Sequence, residues 1–307
     1  MHLREIASII ALGAATVTIG IGCGGDDKAA PKPDSAKADG KKDKKGDHGD
    51  KKGDKADDKK ADDKKADDKK ADDKGGAAAK LGTATIKGVV NFTGKAPEMK
   101  VPKKRKDAEF CKNKEVKYNS VIVNGGKLQD VFVRLSNESV KGDFKAPDKH
   151  AEIAQQDCMY TPRIQGVVSG QTIDIKNSDD TLHNVHTYKG TESWFNKPQT
   201  KGAPAIAQEM PEENKVVKFQ CDVHPWMRGF VVVNSHPFFA VSGADGTFTI
   251  ANVPAGKYDI EAWHPTYGLK KSTVEVADGA VKDGITFTYD GTEPEPTENK
   301  DETKDLF

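Results

Sequence analysis

The 307-residue sequence is short of apolar side chains, of cysteine and of net charge. Hydrophobic residues make up 35% and aromatics 7% of it, against roughly 45–50% apolar for a globular chain on a count that includes glycine, so part of the length cannot contribute to a core. The shortage is local. Residues 26–74 contain no Val, Ile, Leu, Met or aromatic residue, while 17 Lys and 16 Asp fill 33 of their 49 positions. Nothing there can be buried. Net charge is missing too, because 48 Lys+Arg offset 48 Asp+Glu. Over residues 75–289 the balance is 28 basic against 24 acidic side chains, or +4, which excludes a strongly basic nucleic-acid-binding body. Those residues suffice for one large or two ordinary domains. Beyond the run from Ile6 to Ile21, no apolar stretch is long enough to cross a bilayer, so the mature protein is expected to be anchored or soluble rather than spanning.

What is present starts with an export signal. A polar start with Arg4 leads into a small, apolar run of 16 residues that ends in Gly22-Cys23. At about 1.5 Å per residue the run is too short for a core of roughly 30 Å, which points to a signal peptide. Cys23, followed by Gly24-Gly25-Asp26, resembles the lipobox of bacterial lipoproteins, although Gly20 stands where Leu is usual. The resemblance implies removal of residues 1–22, lipidation of Cys23 and a periplasmic lipoprotein held to a membrane of the cell envelope. From Ala56 the chain repeats Ala-Asp-Asp-Lys-Lys. A period of five matches no packed helical face, so residues 23–80 are expected to form a solvated, disordered tether. Residues 291–307, acidic and carrying Pro294 and Pro296, are expected to be a disordered tail.

Between these segments the texture changes to short alternating runs rich in β-branched and aromatic residues. Examples are Thr83 to Phe92, Asp130 to Leu135, Gln171 to Lys176, Lys215 to Cys221, Gly229 to Val233, Lys257 to Trp263 and Ile285 to Tyr289. Turn signals such as Asn124-Gly125-Gly126 and Asp245-Gly246 separate many of them. The body is predicted to be all-β, built as sandwiches.

One stretch carries chemistry. Cys221, His224 and Met227 follow one another at spacings of three, directly after an expected strand. Thiolate, imidazole and a weak thioether form the donor set that suits copper cycling between Cu(I) and Cu(II). A second imidazole is available upstream in His183-Asn184-Val185-His186. In an extended chain His183 and His186 point to opposite faces, so one serves the site and the other does not. A cysteine nucleophile paired with His224 is the competing reading. It leaves Met227 without a role and lacks an evident orienting carboxylate, so the chain is not expected to be an enzyme. Cys111 and Cys158 remain; in an exported protein they are most simply a disulfide, with two free thiols or a second metal site as the alternatives.

These residues resemble a known family. His183-Asn-Val-His186, with Phe219-Gln-Cys221-Asp-Val-His224-Pro-Trp-Met227-Arg-Gly and a Val-rich strand after it, is similar to the copper signature of the cupredoxins, nearest to amicyanin and then plastocyanin. The resemblance spans Gly166 to Val233. It implies a Greek-key sandwich over residues 81–235 with one type 1 copper held by His183, Cys221, His224 and Met227. His186, Asn184 and Trp226 are then supporting neighbours or alternative ligands. The implied activity is one-electron transfer between redox partner proteins of the envelope, with His224 as the exposed exit edge. Copper delivery without electron transfer, or a metal-free interaction module of the same shape, are the alternatives. Residues 82–160 are longer than a small cupredoxin needs, and they include five basic residues between Lys100 and Lys106. Finally, Pro237 to Tyr289, with Asp245-Gly246 and Val253-Pro-Ala-Gly256-Lys-Tyr258, resembles the carboxypeptidase regulatory-like, transthyretin-like module, which implies a small sandwich over residues 236–290 without catalytic residues.

Overall fold

The computed structural model describes residues 80–99, 101–102, 109–212 and 215–294. The expected signal peptide, Cys23, the tether, most of the basic run Lys100–Lys106 and the tail beyond residue 294 lie outside these residues. Among the described residues no helix is long and apolar enough to cross a membrane.

The first strands are β1 (Ala84–Phe92), β2 (Val123–Asn124), β3 (Lys127–Leu128) and β4 (Phe132–Leu135), with a four-residue helix, α1 (Glu109–Lys112), between β1 and β2. Nine strands follow: β5 (Ala151–Gln156), β6 (Met159–Thr161), β7 (Ile164–Val168), β8 (Thr172–Asn177), β9 (His183–Lys189), β10 (Glu192–Gln199), β11 (Ile206–Glu209), β12 (Lys215–Gln220) and β13 (Arg228–Asn234). The chain ends in β14 (Phe239–Val241), β15 (Thr247–Val253), β16 (Gly256–His264), β17 (Gly268–Val276) and β18 (Val281–Tyr289). Period-two burial explains the strands. In β8 Ile173, Ile175 and Asn177 turn inward, and in β1 Ala84, Ile86, Val90 and Phe92 do so, as a half-buried sheet face requires.

Strands β5 to β13 make two sheets, ordered β10-β9-β12-β13-β7 and β11-β8-β5-β6. Their facing side chains, among them Ile153, Val167, Ile173, Ile175, Val185, Val217, Phe219 and Val231, form one core. The remaining strands make the other two sheets, β15-β1-β3-β2 with β18 on β1, and β14-β4-β16-β17. The division expected at residues 235/236 therefore does not follow the sheets. β1 pairs with β15 and, in parallel, with β18, while β4 pairs with β14 and β16. Residues 84–135 thus belong with the C-terminal strands, and β5 to β13 are inserted between β4 and β14. The reason is physical: Ile86, Val90 and Phe92 bury against Phe248, Ile250, Phe287 and Tyr289, partners more than 150 residues away that no local pattern discloses.

A smaller cluster, Phe132, Ile164, Val216, Val232 and Trp263, joins the two sandwiches. Gly166 permits this closeness, because a Cβ there would lie 2.5 Å from Phe239 and 2.7 Å from Phe132. Beside it Arg134 donates to Glu261 at 2.8 and 3.0 Å and to Asn234 at 3.2 Å, all three buried.

Two buried histidines belong to the C-terminal sandwich. His236 Nε2 meets the Leu135 carbonyl oxygen at 3.1 Å and its Nδ1 accepts from the Phe238 amide; His264 Nδ1 accepts from the Thr266 amide. Burial, reinforced by Arg134, holds His236 down to about 4; burial, reinforced by Arg163, holds His264 down to about 3. Both pKa values lie below the ordinary 6.5, so the unfolded chain binds the extra protons first. The neutral-histidine contribution is complete above pH 6.5 and is lost as pH falls toward 4 and 3, at up to about 1.4 kcal/mol per pH unit for each histidine. Urea unfolding between pH 7 and 4.5 should show stability falling as pH drops, with a shallower slope in His264→Asn; equal slopes would contradict this account.

Candidate metal centre

Two neighbouring strands build the centre. β9 alternates so that His183, Val185 and Thr187 are buried while Asn184 and His186 face outward. β12 lies antiparallel to it with Gln220 opposite His186, which brings the following Cys221 toward the start of β9. The loop from Cys221 to Met227 folds back on itself: the Cys221 amide donates to the Met227 carbonyl at 3.3 Å, and the Met227 amide to the His224 carbonyl at 2.8 Å. A compact loop of this kind turns His224 back toward Cys221.

The result is a triangle of donor atoms. His183 Nδ1 is 2.9 Å from His224 Nδ1, Cys221 Sγ is 3.5 Å from His224 Nδ1, and Cys221 Sγ is 4.0 Å from His183 Nδ1. A triangle with these sides has a centre about 2.1 Å from every corner, inside the range of roughly 2.0–2.3 Å over which imidazole and thiolate bind a transition metal. His183, Cys221, His224 and Met227 are each 0% exposed. The residues present therefore fit a metal of the copper class, with two nitrogens, one sulfur and a nearby thioether.

Electrostatics prepare the thiol. Burial pushes the Cys221 thiol up, but hydrogen bonds from His183, His224 and the backbone of Asn184 and His224 outweigh it and bring it from 9.0 to about 6. Burial disfavours the charged form of His183, yet its bonds to Asp179 and Cys221 leave its pKa raised. Asp179 is the residue that sequence reasoning missed. Its Oδ2 holds His183 Nε2 at 2.8 Å and accepts from the Cys158 amide at 2.8 Å, while Oδ1 accepts from the Asp157 amide at 2.7 Å. The signal available was a carboxylate four residues before a candidate ligand histidine, in the Ser178-Asp179-Asp180 turn.

The supporting residues take distinct places. Asn184 Oδ1 accepts from Cys221 Sγ at 3.3 Å and from the Asp222 amide at 2.8 Å. His186 lies outside the triangle, bonded to Asp222 at 3.0 Å and to Ser193 at 2.8 Å. Trp226 packs 5.1 Å from the His224 ring, and its Nε1 donates to the Cys158 carbonyl at 3.0 Å. Cys111 and Cys158 are joined as a disulfide. The expected exposed edge at His224 is not there, since the ring is fully buried. Trp226 and the disulfide account for this, and Cys111 Sγ lies within 4.8 Å of nitrogens of both His183 and His224. The additional length before residue 160 thus supplies part of the cover over the centre.

Comparison with known proteins gives a partial picture. The family model of the ER membrane protein complex subunit 7 β-sandwich domain matches residues 224–301, where the carboxypeptidase regulatory-like resemblance was expected. No curated protein matches the chain. Among solved structures, the chain is similar to a purple cupredoxin from Nitrosopumilus maritimus at 26% identity and a TM-score of 0.25, over 27% of this chain and 99% of that one. Amicyanin from Paracoccus versutus is similar at 22% identity and a TM-score of 0.26, over 34% of this chain and 99% of that one. A reduced variant of amicyanin stands at 24% identity and a TM-score of 0.26, over 33% and 91%.

The geometry predicts a measurable titration. In the metal-free protein the ultraviolet absorbance of the Cys221 thiolate should rise with a midpoint near pH 6, and Asp179→Asn should move that midpoint upward by removing the carboxylate that raises His183 beside the sulfur. A midpoint close to 9 would contradict the arrangement.

Proposed function

We propose that the chain is a copper protein of the cell envelope that carries single electrons between redox partners. The observation that supports this reading is the buried Nδ1–Nδ1–Sγ triangle whose centre lies at bonding distance from all three atoms. His183, Cys221 and His224 would hold the ion, and Met227, buried at the end of the same loop, would offer a thioether as a further donor. Bound copper supplies one-electron chemistry between Cu(I) and Cu(II).

The protein's own residues supply the rest. Asp179 fixes the His183 ring and leaves its Nδ1 turned to the centre. Asn184 ties the start of β9 to the Cys221 loop. Burial of both imidazoles and of the thiol excludes water, so the donors keep one arrangement whichever charge the ion carries. The export signal, a lipid anchor at Cys23 and a tether that holds the body away from the membrane belong to this reading, as does a periplasmic location.

A different chemistry deserves comparison. Cys221, His183 and Asp179 also form a nucleophile, base and carboxylate in sequence. Cys221 and His183 are 0% exposed, however, so a substrate has no approach to the sulfur, and a copper-holding role suits the burial better. Delivery of copper to an acceptor is the second reading, favoured by the covered His224.

Loading the protein with Cu(II) should give one ion per chain and an intense visible charge-transfer band that Cys221→Ser abolishes. Rapid, reversible one-electron cycling without metal loss supports the carrier, whereas transfer of Cu(I) to an added acceptor supports delivery. A colourless protein that binds no copper would refute both.

A further inference from the structure

The proposed function leaves the Cys111–Cys158 disulfide without a chemical role, yet it lies beside the same two imidazole rings. Cys111 Sγ is within 4.8 Å of nitrogens of both His183 and His224, while Cys158 Sγ shares the same spacing with Asp179 and His183. Both cysteines and both histidines are fully buried, so sulfur and imidazole occupy one common interior. The two cysteines are not equivalent. Cys158 is pinned: its amide donates to Asp179 and its carbonyl accepts from Trp226. Cys111 sits on the four-residue α1, with its carbonyl accepting from the Lys114 amide at 3.1 Å, and it is the one that reaches both imidazoles.

We propose that in the dithiol form of the chain Cys111 is an additional thiolate donor to the same metal, so that the disulfide decides whether the centre offers one thiolate or two. This rests on the reading that the centre takes copper. Every chain is synthesised with reduced cysteines, and closing the bond passes two electrons and two protons from them to a disulfide oxidant, which becomes a dithiol. The reverse step takes two electrons and two protons from a dithiol reductant, whose own sulfurs join in a disulfide. Cys111 then gives up its thiol proton on binding the metal. A disulfide sulfur carries no charge and is a poor donor, whereas a second thiolate is a soft ligand that favours Cu(I). The dithiol form is therefore a Cu(I)-retaining state, and formation of the disulfide releases the ion to the His183, Cys221 and His224 set.

The test is anaerobic competition for Cu(I) against a chromogenic chelator, using the full chain. Five forms are compared: oxidised wild type, wild type reduced by a water-soluble phosphine, Cys158→Ser, Cys111→Ser and the double serine variant. One Cu(I) per chain is expected throughout. Reduced wild type and Cys158→Ser should hold it at least about tenfold more tightly than oxidised wild type, the scale on which a single added contact at a metal acts. Cys111→Ser and the double variant should show no such gain. Loss of the cross-link by itself moves the two single variants equally, so equal affinities would overturn the proposal while leaving the copper centre intact. Reduced wild type carries no substitution, and an affinity unchanged from the oxidised form would overturn it as well. Absence of Cu(I) binding in every form would overturn both the proposal and the copper reading.

Discussion

Three polar donor atoms share an interior from which water is excluded, and the structure around them follows from that constraint. Two imidazole nitrogens 2.9 Å apart and a sulfur at 3.5 and 4.0 Å cannot all keep their protons, and a buried polar atom without a partner is costly. The protein answers this unevenly. His183 has Asp179 on its far nitrogen. His224 Nε2 is buried with no partner among the described residues, so on its far side that ring is held by packing against Trp226 rather than by a polar anchor. Against burial, the two imidazoles hold the Cys221 thiol down to about 6, while the Asp179 carboxylate and the sulfur draw His183 upward.

The second layer of the architecture serves this pair. Asp179 also accepts the amides of Asp157 and Cys158, and Trp226 donates to the Cys158 carbonyl. The turn that carries the disulfide is thus wired to His183 through a carboxylate and to His224 through an indole. With Cys111 joined to Cys158, the segment before β2 is fastened over the centre. That fastening explains why His224 is covered.

Much of the candidate centre was legible in the sequence because most of its side chains are local. Cys221, His224 and Met227 lie in one loop, and the odd spacing of His183 and His186 sorts them to opposite faces of β9, where His183 is buried and His186 reaches Asp222 and Ser193. The all-β class was legible from alternation in β1, β8 and β16. β10 was not, because its Glu192–Gln199 stretch is polar, largely exposed and carries Pro198, as an edge strand tolerates. The pairing of β1 with β15 and β18 was also invisible, since contacts across such separations leave no periodic trace. Asp179 escaped notice because it is joined to His183 by geometry, across a turn rather than along a strand.

The central claim is that Cys221, His183 and His224 bind one ion together. X-ray absorption at the copper edge of the loaded protein tests it most directly. The account predicts one sulfur and two nitrogens at roughly 2.0–2.3 Å, with the sulfur lost in Cys221→Ser. A copper environment of nitrogen and oxygen alone, unchanged by that substitution, would contradict it.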